Sequence, residues 1–369
     1  MAEIFEPTNL NGLELKNRLV RSATWEGLAT ADGAVTPALV RIHEDLAEGG
    51  VGLIISSYMY VQKIGKQAAG QIGVDSDQMN PGLAELAQAV SSRNGKIVGQ
   101  IVHCGGQADH QQAGGLQPVA PSAVESPGYS MTPLELTIDQ IHAIIDDFAS
   151  ATGRLQQAGF DGVQLHGAHG YLLAQFLSPL RNQRTDQYGG SLENRARLSL
   201  EVYRAVRSAV GRDFPVMIKL NVNDFLDGST TEEDSCYLAA ALAAEGIDAI
   251  EVSGGTPGSG KLGAARPNIK EPTDEAYFLP QAEAIRRAAP SVPLMLVGGM
   301  RSPEIMEKIL AAGTADYFSM SRPLIREPGL PARWQSGDRR RAACISCLGC
   351  FGPARKGEGI SCVQTSGPA

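Results

Sequence analysis

Three residues near the middle of the chain have the types and spacing for chemistry on an oxygen atom. They are His166, His169 and Tyr171, in the stretch "HGAHGYLLAQFLSPLRNQRTDQYGG". Two imidazoles three residues apart can begin a metal site, or can donate two hydrogen bonds to one carbonyl or anionic oxygen. The metal reading lacks a third ligand and a carboxylate base, and the chain has no HExxH pattern. The oxygen-binding reading asks only that both rings be neutral, with the phenol beside them as a proton source. A satisfied structural pair is the remaining alternative.

Other residues join this set. Lys219 interrupts the apolar run "PVMIKLN"; a lysine there is either paired inside the core or faces an anionic ligand. Gly298 and Gly299 close "PLMLVGG", and Ser321 and Arg322 close "YFSMSR". Glycines let a ligand approach backbone N–H groups, and an arginine beside them makes a phosphate seat. Near the C-terminus, Cys344, Cys347, Cys350 and Cys362 read C-x₂-C-x₂-C-x₁₁-C. Four thiolates at that spacing can wrap a [4Fe–4S] cluster, with zinc or free thiols as the alternatives. Cys104 and Cys236 read as ordinary small residues.

The elements that must position these residues form a regular series. Short apolar, β-branched runs recur at 19–24, 51–57, 96–103, 162–167, 215–221, 249–255, 293–299 and 317–322. Each is continuous rather than alternating, as a strand covered on both faces should be. Helix-period segments lie between most of them, with start and stop signals at Thr137 and Gly159, Ser191 and Gly211, and Ser302-Pro303 and Gly313. Eight βα units predict an α/β fold, a (β/α)₈ TIM barrel over residues 1–335. A doubly wound sheet is disfavoured because no Gly-x-Gly-x-x-Gly turn follows the first strand. Residues 336–369 turn polar, basic and Cys-rich and predict a short C-terminal extension. In a barrel, function sits at the C-terminal strand ends, where every candidate outside the extension falls.

Bulk properties narrow the partners. The net charge is −8 with no basic block, which argues against nucleic acid and anionic membranes. The longest apolar run, Val51–Val61, is too short to cross a bilayer. The first twenty residues carry Glu3, Glu6, Glu14, Lys16 and Arg18 and do not read as a signal peptide. The cytoplasm is the expected compartment, and the six cysteines are not read as disulfides there. A homo-oligomer is compatible with everything in the sequence.

The long segment from His166 to Leu198, with "IFEPTNLNGLELKNRLVRSAT", "GQIVHCGGQ", "EVSGG", "LVGGMRSPE" and "ADYFSMSRPL", resembles the old yellow enzyme family of FMN-dependent oxidoreductases over about residues 3–335. The resemblance implies FMN across the barrel mouth. Ala23, Thr24 and Trp25 would flank the ring, with Ser57 and Gly254 beside the seat. Gln100 would bind the pyrimidine portion and Lys219 would stand at N1/C2=O, where an arginine is common. Gly298, Gly299, Ser321 and Arg322 would hold the phosphate. It also implies that NADH or NADPH reduces the flavin and that an α,β-unsaturated carbonyl substrate then takes hydride at Cβ. In that scheme His166 and His169 polarise the substrate oxygen and Tyr171 protonates Cα. Trp25 departs from the family, where a smaller Thr or Cys is frequent; it would narrow the site or pack against the first helix. The cysteine segment resembles that of the dienoyl-CoA reductase and trimethylamine dehydrogenase branch. A cluster there would exchange electrons with a separate protein, which keeps a small-amine dehydrogenase or demethylase, or a redox subunit, as the alternative function. A Schiff-base aldolase on Lys219 is the remaining reading.

Overall fold

The computed structural model describes residues 3–364. Residues 1–2 and 365–369, the outer ends of the two expected segments, lie outside the described residues. Twelve strands are formed among those described. They are β1 (Thr8–Leu10), β2 (Leu13–Leu15), β3 (Leu19–Arg21), β4 (Leu53–Tyr60), β5 (Ile97–Val102), β6 (Val119–Ala120), β7 (Leu134–Glu135), β8 (Gly162–Gly167), β9 (Val216–Asn221), β10 (Ala249–Ser253), β11 (Leu294–Val297) and β12 (Tyr317–Met320). Eight of them close a barrel in the order β10-β11-β12-β3-β4-β5-β8-β9, with every neighbouring pair parallel. The eight-unit barrel read from the sequence is the fold observed.

The helices are α1 (Pro37–Glu48), α2 (Asn80–Ser91), α3 (Ile138–Gln157), α4 (Leu172–Leu177), α5 (Leu192–Val210), α6 (Glu232–Ala244), α7 (Leu279–Ala288), α8 (Pro303–Ala311), α9 (Arg322–Arg326), α10 (Leu330–Gln335) and α11 (Phe351–Arg355). Thr137 caps α3 in a reciprocal box with Gln140, and Ser191 caps α5. Gly159, Gly211 and Gly313 take left-handed φ values of 86°, 77° and 72° just past their helices. Ser302 differs: it precedes α8, but its hydroxyl donates to Glu275 Oε1 at 2.7 Å instead of capping the helix.

Two features departed from the sequence expectation. The hairpin β1–β2 plugs the lower end of the barrel: Leu10, Leu13 and Leu15 pack against Val20, Ile55, Val98, Met217, Met295 and Tyr317. Their short polar-flanked runs gave no strand signal. Strand β4 also continues three residues past Ser57, with a register shift between Ile55 and Tyr58. That irregularity turns Tyr58 into the barrel mouth.

Period-two alternation sets what lies above the apolar plug. Two residues beyond Val98, Met217, Ala249 and Tyr317 come Gln100, Lys219, Glu251 and Ser319. A polar layer therefore sits on an apolar one, and strand ends sit above both.

Most of the polar segment after His169 serves the loop, not chemistry. Arg184 is buried and donates to the carbonyls of Pro121 (2.9 Å) and Leu136 (2.6 Å) and to Asp186 (2.6 Å). Asn182 likewise donates to Phe176 O and Tyr188 O, both at 2.7 Å. Replacing Arg184 by Ala strands the buried carbonyls and should destabilise the protein by about 2–4 kcal/mol. Urea unfolding measures this; a loss under about 0.5 kcal/mol would mean that the clamp is not needed.

Candidate active site

The strand ends and the loops above them enclose a cavity of two joined lobes. The first, of about 280 Å³, is lined by Ala23, Thr24, Trp25, Gln100, His166, His169, Tyr171 and Lys219, together with Tyr58 and Ser253. The second, of about 80 Å³, is lined by Gly299, Arg301, Ser319, Ser321, Arg322 and Tyr277. Ala264, Ala265, Val297, Ser321 and Phe351 belong to both. One end of the space carries a lysine and the other carries arginines.

Each histidine is held by its backbone neighbourhood. His166 ends β8, and its Nδ1 accepts from Ala168 N at 3.3 Å. The ring proton is thereby assigned to Nε2, which is left as a donor. His169 stands at φ 60°, a left-handed conformation unusual for a residue with a side chain. Its amide donates to Asn221 Oδ1 at 3.2 Å, while Gln107 Nε2 donates to His169 O at 3.1 Å and Gly170 O at 2.6 Å. Gly170 has φ 78°, which strains any residue with a side chain, and a Cβ there would also displace Gln107 Nε2 from 2.5 Å away. The His169 Nε2 lies 2.8 Å from Ser253 Oγ, and the two imidazole rings are 5.2 Å apart at 81°.

Both rings are neutral. Burial lowers the His169 pKa to about 3, with the Lys219 charge adding to it. Burial, then His169 and Lys219, takes His166 well below its ordinary value. The opposite holds for the phenols. Burial raises Tyr171 and Tyr58 well above the ordinary tyrosine value, so both are acids that keep their proton. The Tyr171 hydroxyl donates to Gln67 Oε1 at 2.7 Å, and Tyr58 donates to the same oxygen at 2.9 Å. The Tyr171 ring lies 4.8 Å from His166, edge to face.

The floor of the first lobe is a closed polar network. Lys219 Nζ is 3.2 Å from Glu251 Oε2 and 2.8 Å from Ser22 Oγ, and Ser22 Oγ donates to Glu251 Oε1 at 2.7 Å. Gln164 Nε2 donates to Glu251 Oε2 at 2.9 Å, and Gln100 Nε2 donates to Gln164 Oε1 at 2.7 Å. A carboxylate only accepts, so Glu251 fixes the direction of both amides. Lys219 thus meets both sequence readings: it is paired in the interior and it faces the cavity.

At the far lobe, Gly298 and Gly299 have φ of 129° and 76°, and a Cβ on either would crowd the Tyr277 ring at 3.0–3.2 Å. Arg322 Nη1 donates to Arg266 O at 2.9 Å, and Arg266 sits against Phe225, Tyr277 and Phe278. The Ser319 hydroxyl in this lobe is buried with no partner of its own. Thr24 Oγ1 and Ser321 Oγ are bonded at 2.7 Å where the lobes meet. Trp25 lines the first lobe, and its Nε1 donates to Ala69 O at 3.1 Å.

Not every candidate reaches the cavity. Ser57 is buried and its hydroxyl lacks a partner, and it is not among the lining residues. Gly254 packs under aromatics, since a Cβ would meet Phe278 at 2.9 Å and Phe225 at 3.1 Å. The four tail cysteines are not drawn together into one cluster of ligands. Among the described residues no group of three or more His, Cys, Asp or Glu is gathered as a metal ion needs. Cys344 and Cys350 are buried and Cys347 is exposed, while Arg326 Nη1 stands 3.8 Å from Cys362 Sγ. Burial raises the Cys350 thiol, against the pull of Arg322. The tail is instead fixed by Arg341 on Glu275 (2.8 Å), Ala342 N on Arg301 O (2.8 Å) and Ile360 N on Glu26 O (2.8 Å). Those contacts bring Ser346 and Phe351 into the cavity wall.

Sequence reasoning missed Tyr58, Gln67, Gln164, Ser253, Glu251 and Phe351. Glu251 and Gln164 had a signal, as lone polar residues inside the buried runs "AIEVS" and "GVQLHG".

Comparison with known proteins follows the same lines. Residues 3–340 match the NADH:flavin oxidoreductase / NADH oxidase family model. The chain is 38% identical to the NADH oxidase of Thermoanaerobacter brockii over 354 residues, which are 95% of this chain and 53% of that protein. It matches a 2-naphthoyl-CoA reductase in complex with 2-naphthoyl-CoA at a TM-score of 0.90 and 31% identity, over 98% of this chain and 56% of that one. An old yellow enzyme homologue from Zymomonas mobilis matches at a TM-score of 0.79 and 28% identity, over 94% and 96%. The chain spans about half the length of the first two proteins. No helix among the described residues is long and apolar enough to cross a membrane.

The histidine environment predicts a pH response. In the unfolded chain His169 binds a proton below its ordinary value of 6.5, whereas in the native state it stays neutral down to about 3. Its contribution therefore favours the native state least in acid, by about 1.4 kcal/mol per pH unit as pH falls through that window. In NMR titration His166 and His169 should show no midpoint near neutrality. A midpoint near 6.5 for either would contradict the burial argument.

Proposed function

The chain belongs to the NADH:flavin oxidoreductase / NADH oxidase family, and from that premise we propose that it is an FMN-dependent reductase of activated C=C bonds. The reductant is NADH or NADPH, and the substrate is an α,β-unsaturated carbonyl compound. The observation that carries this reading is the pair of neutral imidazoles beside a protonated phenol, in one lobe of a cavity whose other lobe is cationic.

The residues present fit FMN. A ring and a phosphate need a long cavity with a cation for each end, and Lys219 and Arg322 stand in different lobes. The partnerless Ser319 hydroxyl and the glycine turn in the second lobe suit a phosphate. Gly298, Gly299, Ser321 and Arg322 would hold it. Ala23, Thr24 and Trp25 would flank the ring, and Gln100 and Lys219 would take its pyrimidine portion. FMN, when bound, supplies the two-electron carrier between nicotinamide and substrate.

The chain's own groups do the rest. His166 Nε2–H donates to the substrate carbonyl oxygen and draws charge onto it. His169 exchanges its Ser253 partner for the same oxygen. Tyr171 gives its proton to the substrate α-carbon once its bond to Gln67 is released. Trp25 limits the width of the ring edge. A Schiff-base role for Lys219 is disfavoured, because Glu251 and Ser22 already engage its Nζ. No step is assigned to the tail cysteines.

Anaerobic reduction of the flavin-loaded protein with each nucleotide, followed by a panel of enones and methylated amines, tests the reading. Enone-dependent reoxidation is expected; turnover of the amines alone would overturn it. Tyr171→Phe should lower enone turnover by about 10²–10⁴-fold while the visible flavin spectrum is retained. Full turnover with an unchanged pH profile would remove Tyr171 from the mechanism.

A further inference from the structure

Glu251 is fully buried in the middle of the barrel, one layer below the cavity, and it does not line the cavity itself. Its Cα is paired with that of Lys219 across β9 and β10. Its two oxygens are taken up by Lys219, Ser22 and Gln164. Lys219, Ser22 and Gln100 do reach the cavity. Each group that meets the ring's pyrimidine end is thus bonded to Glu251 directly or, for Gln100, through Gln164.

We propose that Glu251 is a positioning residue that compensates the charge of Lys219 and thereby sets the reduction potential of the bound flavin. The inference rests on the FMN reading above. A cation beside the flavin pyrimidine favours the reduced, anionic form over the oxidised, neutral one. A carboxylate 3.2 Å behind that cation, in an interior with little screening, cancels much of its field. Lys219 with Glu251 therefore acts on the flavin as a dipole, where Lys219 alone would act as a charge. Ser22 and Glu251 also fix the direction of the Lys219 ammonium.

The test is a redox titration of bound FMN in two variants. Glu251→Gln keeps the shape and removes the charge. It should raise the ratio of reduced to oxidised FMN affinity about tenfold or more, a potential about 30 mV more positive for a two-electron couple. The second variant, Lys219→Met with Glu251→Leu, replaces the pair with apolar groups and avoids burying a lone charge. Its ratio should stay within about threefold of wild type, because the two charges nearly cancel there. Kinetic constants need not be compared for either readout. An unmoved ratio in Glu251→Gln overturns the inference. So does a double variant whose ratio falls about tenfold below wild type, since that would show an uncompensated Lys219. The double variant decides the matter if the single one does not fold. A wild-type chain that binds no FMN overturns the parent reading, and this one with it.

Discussion

A lysine and a glutamate share the centre of this barrel, 3.2 Å apart and shielded from water. Neither could stay there alone, since an unpaired buried charge costs several kcal/mol. The parallel register places them side by side, and Ser22, Gln164 and Gln100 satisfy what remains. Below them the β1–β2 hairpin seals the lower end with leucines. The barrel is consequently solid and apolar at one end and polar at the other. The cavity opens where that polar layer ends.

The upper wall is built from pieces far apart in sequence. His166 and His169 come from the end of β8, Tyr58 from the irregular end of β4, Ala264 and Ala265 from the loop after β10, and Phe351 from the tail. Buried neutral imidazoles and protonated phenols follow from the same dryness that makes the lysine–glutamate pair necessary. Burial of these side chains fixes the protonation state of several groups. The C-terminal tail contributes Ser346 and Phe351 to the wall.

The barrel was legible because its strands are buried on both faces and read as unbroken apolar runs, and because Thr137, Ser191, Gly159 and Gly211 mark helix ends by chemistry that acts locally. His166, His169 and Tyr171 were legible as a group because a few residues carry them all. The hairpin β1–β2 was not, since three-residue strands carry too little periodicity. Tyr58 depends on a register shift, which is a property of two strands rather than one. Phe351 depends on where a tail folds back. Glu251 and Gln164 could have been found by setting the strands in register, where their polar breaks align with Lys219 and Gln100. The cysteine spacing suggested a convergence that is not formed among the described residues.

The central claim is that one cavity seats FMN, with its phosphate in the lobe of Arg322 and Gly299. Fluorescence titration of flavin-free protein with FMN and with riboflavin tests it most directly. The account predicts one FMN per chain and riboflavin binding weaker by at least about tenfold, the loss of a charged phosphate contact. Equal affinity for the two, or no binding of either, would contradict it.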